Sequence, residues 1–199
     1  VFFSTSCMVN YEVEFRKSMD NENFVGAKRL LQDQISKKAF FQFPPDENMV
    51  KAFYKLAYVH GKLSEYDSMK AILDTCVVRN SNFQKAKREM MEYFSLDEFN
   101  KAVFLYNNYF FDKAISNLKI AIAIVGTEPP YEEYSAVIFR CLTYAEWSNS
   151  NIEKALDYCR SAAKLGDALS KKILADWEKE KKITPPEKLE PREKPILTI

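Results

Sequence analysis

The sequence predicts an all-α fold. Apolar residues recur at helical spacing along most of the chain, as in Phe53, Leu56, Ala57 and His60 or Phe111, Ala114, Ile115 and Leu118. No segment alternates apolar and polar residues as a half-buried strand does. Proline and glycine fall almost only between the periodic stretches, where they end helices.

Taken in order, the helices are expected to break near Asp20, Pro44, Gly61, Asn80, Phe110, Pro129, Asn149 and Gly166. The first faces carry Phe24, Ala27 and Leu31, then Phe53 to His60, then Tyr66, Met69, Leu73 and Cys76. Phe111 to Ala121 and Leu156, Cys159 and Ala163 continue the pattern. Pro44-Pro45, Pro129-Pro130 and Pro185-Pro186 follow helix-like stretches, and Gly126 and Gly166 sit where helix C-caps are expected. Ser64 to Asp67, Ser95 to Glu98 and Ser150 to Glu153 each match a capping box, which predicts helix starts there. A last amphipathic helix is expected over Asp167 to Lys182, with Leu169, Ile173 and Trp177 on one side. Residues 183–199 are Pro-rich and charged and predict an extended tail. Its final aliphatics, Ile196, Leu197 and Ile199, suit docking on a helical surface better than solvent, although a plain linker fits the composition equally.

The chain repeats itself. Phe24/Ala27/Leu31/Gln34, Tyr66/Met69/Leu73/Cys76, Phe111/Ala114/Leu118/Ala121 and Ile152/Ala155/Cys159/Ala162 share one pattern. Phe111-Asp112-Lys113-Ala114-Ile115 and Ile152-Glu153-Lys154-Ala155-Leu156 carry it most clearly. The pattern resembles the second helix of a tetratricopeptide repeat, with Leu56-Ala57 and Leu142-Thr143 standing where that family has Leu-Gly upstream. The anchors at 27, 69, 114 and 155 lie 42, 45 and 41 residues apart, against about 34 in the standard repeat, so longer helices or loops must absorb the difference. The resemblance implies stacked antiparallel helix pairs in a right-handed superhelix over residues 8–182, closed by the C-terminal capping helix. One pair cannot bury its apolar face alone, and small residues such as Ala114 and Ala155 let neighbours approach.

Composition excludes several functions. The 199 residues carry 29 Lys+Arg and 28 Asp+Glu, a net charge of +1, which argues against a dedicated nucleic-acid binder. Four glycines offer no Gly-rich phosphate cradle, and one histidine excludes a multi-histidine metal site. No catalytic residue, metal or cofactor is expected. Glu132-Glu133 and Asp97-Glu98 read as solvated faces or helix starts, and His60 as a core histidine. Cys76, Cys141 and Cys159 read as buried free thiols. No apolar run is long enough to span a membrane. Val1 to Cys7 resembles the end of a bacterial lipobox, which would make Cys7 a lipidated residue and residues 1–7 a signal remnant; an ordinary apolar segment packing on the first helix is the other reading.

The resemblance also implies a concave groove lined by the first helix of each pair. Its positions fall on Lys51, Tyr54 and Tyr58, on Phe99, Val103 and Tyr106, and on Arg140, Tyr144 and Trp147. Aromatics make up 14% of the chain, and tyrosine gives a stiff contact with a polar tip. These side chains either bind a partner or seal neighbouring helices. The Lys/Asn/Asn/Lys/Arg set of carboxylate-clamping repeats is missing, because Tyr54, Tyr58, Val103 and Tyr144 occupy comparable places. The expected function is a non-enzymatic scaffold for a protein or peptide partner. Two alternatives stand beside it. One is an envelope lipoprotein resembling assembly factors of the outer-membrane barrel-insertion machinery, in the periplasm rather than the cytoplasm. The other is a helical-hairpin hydrolase or transferase, which would need a polar cluster in the groove.

Overall fold

The structure is a computed structural model that describes residues 5–39, 47–181, 183–194 and 197, with side chains for 11–37, 47–179, 181, 183–194 and 197. Among these residues the fold is all-α. Nine helices follow one another: α1 (Thr5–Asp20), α2 (Phe24–Ala39), α3 (Glu47–Lys62), α4 (Tyr66–Arg79), α5 (Gln84–Asn107), α6 (Phe111–Val125), α7 (Glu132–Ser148), α8 (Ile152–Lys164) and α9 (Ala168–Glu180), with a 3-10 turn at Ser81–Phe83. Helices adjacent in sequence pack together: α1 on α2, α2 on α3, α3 on α4, α6 on α7, α7 on α8 and α8 on α9. The chain forms two compact units, one of the residues up to Met90 together with Leu197, the other from Met91 through the described segment 183–194. The expected break at Pro44 and the signal-remnant residues 1–4 lie outside the described residues; Cys7 falls within α1, its side chain outside them.

The four hairpins α1–α2, α3–α4, α5–α6 and α7–α8 turn in the same way. Three residues connect each pair, and the middle one is left-handed: Glu22 (φ 54), Ser64 (φ 60), Tyr109 (φ 65) and Ser150 (φ 64). That residue's N–H donates three residues back, to Met19, Gly61, Tyr106 and Trp147, at 2.9–3.0 Å. The next N–H donates five residues back, to Ser18, His60, Leu105 and Glu146, at 2.7–2.9 Å. These paired bonds satisfy carbonyls that a helix end leaves free. Gly166 (φ 96) makes the same turn between α8 and α9.

This turn corrects the capping-box reading. Ser64 and Ser150 are the left-handed residues, and the residues preceding α4 and α8 are Glu65 and Asn151, neither with a side-chain cap. Ser95 starts no helix, because α5 runs unbroken through it; its hydroxyl is buried and donates to the Ala121 carbonyl at 2.8 Å. In two hairpins the side chains across the turn also meet. The Glu65 carboxylate approaches His60 Nδ1 to 2.5 Å without hydrogen-bond alignment and takes Lys28 Nζ at 2.6 Å. Asn151 Nδ2 donates to Glu146 at 2.7 Å in the equivalent place. Burial, and then the Lys28 charge, lower the His60 pKa, against the Glu65 carboxylate, which acts to raise it.

The repeat anchors sit at a fixed distance beyond the turn. Ala27, Met69, Ala114 and Ala155 each donate their N–H to the last turn residue, and all four are 0% exposed. In the first unit Ala27 joins Phe15, Leu31, Leu56 and Val59 in one cluster, flanked by Met19, Phe24, Ile35, Leu63 and Ile72. Lys55 bridges α3 to Glu12 of α1 at 2.8 Å and lies over the Phe15 ring. In the second unit Ala114, Leu118, Ile124, Ile138, Leu142 and Ala155 are buried. Cys76, Cys141 and Cys159 are buried free thiols, as expected; burial raises the first two to about 11 and about 12.

Replacing Ala114 or Ala155 with Leu is expected to lower stability by roughly 1–3 kcal/mol through overpacking, as measured by urea unfolding. Ser150→Gly is expected to raise the midpoint, by up to ~1–2 kcal/mol, because glycine relieves the left-handed backbone. An unchanged midpoint in either would contradict these roles.

Candidate partner-binding site

The groove positions taken from the sequence divide between the two units. In the first, Lys51 is exposed and pairs with Glu47 one turn earlier. Tyr54 is buried, edge-on to Phe83 with ring centroids 5.8 Å apart, and burial raises its hydroxyl to about 12. Tyr58 is half-buried under Lys62. In the second unit Phe99 and Val103 are buried, Phe99 against the Tyr134 ring. Tyr144 is buried too and lines a cavity of about 290 Å³ with Leu169, Ile173 and Ile183. Half-buried Trp147 packs edge-on to Trp177 of α9. Arg140 holds Asp167, the residue that caps α9 by accepting from the Ser170 N–H at 2.8 Å. Buried aromatics of this kind hold helices together and leave a partner little surface.

Tyr106 is different. Its ring is buried beside Phe111, but its hydroxyl donates to the Pro186 carbonyl at 3.0 Å, so it meets the C-terminal segment. That segment, 183–194, has no helix and runs along α5 within the second unit. Two asparagines hold its backbone. Asn107 Nδ2 donates to the Leu189 carbonyl at 2.9 Å, and the Leu189 N–H donates back to Asn107 Oδ1 at 2.8 Å. Asn100 does the same for Arg192, at 2.7 and 2.8 Å. A side-chain amide is thereby used as a strand neighbour would be.

The spacing explains why the segment is extended. Residues 100 and 107 are two turns apart, about 10 Å along a helix. Three residues of chain cover that distance only when nearly stretched, at about 3.1–3.6 Å each. The prolines at 185, 186 and 191 favour such a backbone. The segment runs antiparallel to α5, since later tail residues meet earlier helix residues.

Side chains fix the register. Ile183 and Leu189 are buried. The Arg192 guanidinium lies 5.4 Å from the Tyr134 ring centre, and Lys194 Nζ lies 5.0 Å from that of Tyr93. Lys194 also pairs with Asp97 at 2.6 Å. These contacts come from residues upstream of Ile196, Leu197 and Ile199, to which the sequence points; Leu197 is half-buried, and 196 and 199 lie outside the described residues. Asn100 and Asn107 were missed. The available signal was an asparagine pair two turns apart, flanking Val103 and Tyr106.

Among the described residues no group of His, Cys, Asp and Glu could hold a metal ion, and no helix is long and apolar enough to cross a membrane. No protein-family model matches the chain, and neither does any curated protein.

Burial acts to raise the Asp97 carboxyl, but hydrogen bonds from Lys194 and Lys101 outweigh it and hold the group below its ordinary value of 3.8. Its folded value is thus below its unfolded one. The stabilising contribution is complete above the unfolded value and is lost as pH falls through the folded one. An NMR titration of Asp97 is expected to give a midpoint below 3.8, moving up in Lys194→Gln. A midpoint unmoved by that substitution would show that the tail does not dock there in solution.

Proposed function

We propose that the chain is a non-enzymatic scaffold of the tetratricopeptide type, whose helix pairs stack as a right-handed superhelix and bind an extended segment of a partner protein. One observation carries this reading: α5 holds an extended, Pro-rich segment through its main chain with two asparagine amides. A main-chain grip suits peptides, because every segment offers the same N–H and C=O groups. The adjacent helix pairs, the common turn and the buried small anchors at 27, 114 and 155 support the repeat architecture.

The test is to capture partners with the full chain and then cut each captured protein down. A linear piece of about ten residues is expected to retain the affinity of the intact partner within roughly tenfold, measured by fluorescence anisotropy. Binding that requires the folded partner in every case would overturn the reading.

A further inference from the structure

The tail does not fill the surface it occupies. Asp97 and Asn100, which hold Lys194 and Arg192, also line an open cavity of about 470 Å³ with Lys101, Phe104, Leu105 and Asn117. Phe104 in its wall remains 66% exposed. The tail itself is thinly attached. Thr184, Pro186, Glu187, Lys188, Glu190, Pro191, Arg192, Glu193 and Lys194 are all exposed, and Leu189 is the buried side chain between Thr184 and Lys194. Most of its polar contacts are to the backbone, which any extended segment can supply. Among the described residues 186–194, three positions are read by side chain: Leu189 by burial, Arg192 by Tyr134, and Lys194 by Asp97 and Tyr93.

We propose that this face of α5, with Tyr134 of α7, is an exchangeable docking site for an extended partner segment of the pattern Leu-x-x-Arg-x-Lys, and that residues 186–194 are a built-in occupant competing for it. The inference rests on the segment-binding reading above and assigns its site and its ligand chemistry. A partner segment with the same basic residues meets the Tyr134 ring, and Asp97 with the Tyr93 ring, as the tail does. It also has the Phe104 cavity available, which the tail leaves empty. The tail then sets a threshold: a segment binds only when its affinity, at its concentration, exceeds the local concentration of the tethered competitor.

The probe is a fluorescent peptide of residues 185–194, titrated against the full-length chain. The variant Leu189→Asp/Arg192→Glu, which releases the built-in tail, is expected to bind it at least tenfold more tightly than the unaltered chain. Adding Asn100→Ala/Asn107→Ala to that variant is expected to abolish binding, and a peptide bearing Asp for Leu189 and Glu for Arg192 is expected not to bind. Equal affinity for the unaltered and tail-released chains overturns the proposal, as does binding that survives loss of both asparagines. Hydrogen exchange on the unaltered chain avoids any folding defect in the variants. At saturating peptide the Leu189 and Arg192 amides are expected to lose protection, and unchanged protection overturns the proposal. A tail-dependent dimer in sedimentation would assign the site to a second copy and also overturn it. Capture of linear segments that survives Asn100→Ala/Asn107→Ala would overturn this site while leaving the scaffold reading intact.

Discussion

Two nested main-chain hydrogen bonds at each hairpin turn fix where the second helix of a pair begins. Everything else in the repeat is counted from there. The anchor residue follows the left-handed residue by five positions in each pair, at 27, 69, 114 and 155 after 22, 64, 109 and 150. Alanine at three of these anchors lets the second helix lie close to the first, while Met69 fills the place in the second pair. The turn is built by backbone, so its middle residue varies freely among Glu, Ser and Tyr, at a modest cost in strain. The unequal repeat lengths then arise elsewhere. α5 has 24 residues where α3 and α7 have 16 and 17, and the third anchor is correspondingly the furthest from its predecessor.

That same economy explains what the sequence revealed and what it hid. Helix faces are legible because burial demands a 3.6-residue period, and the small anchors are legible because close packing demands them. The turns were misread because a capping box and this left-handed turn draw on the same residue types. Ser64 with Asp67 fits the first by spelling and belongs to the second by backbone angle. A glycine would have announced the turn, as Gly166 does.

The aromatic groove was harder to read for a related reason. An aromatic at helical spacing has the same sequence signature whether it meets a partner or a neighbouring helix. Tyr54, Phe99 and Tyr144 are buried, and Tyr106 spans both roles, its ring in the core and its hydroxyl on the tail. Asn100 and Asn107 have the opposite difficulty. A polar residue on a helix reads as solvated, and only the distant segment that it grips, more than eighty residues away, gives it a role.

The energetics of that grip favour exchange over permanent closure. Five hydrogen bonds reach the tail backbone, from Asn100, Asn107 and Tyr106, each worth about 0.5–1.5 kcal/mol net. Burial of Ile183 and Leu189 adds about 1.5–3 kcal/mol for each side chain. Against this stands the ordering of the segment, at about 1–2 kcal/mol per residue in a flexible chain. Proline lowers that cost, because its ring has already fixed one backbone angle. The ordering cost absorbs the contact energy, which leaves no large surplus to hold the tail down permanently. A tail held tightly would be a structural strap and would bury its side chains. This tail exposes most of them and spends its contacts on the backbone, which suits an occupant that can be displaced.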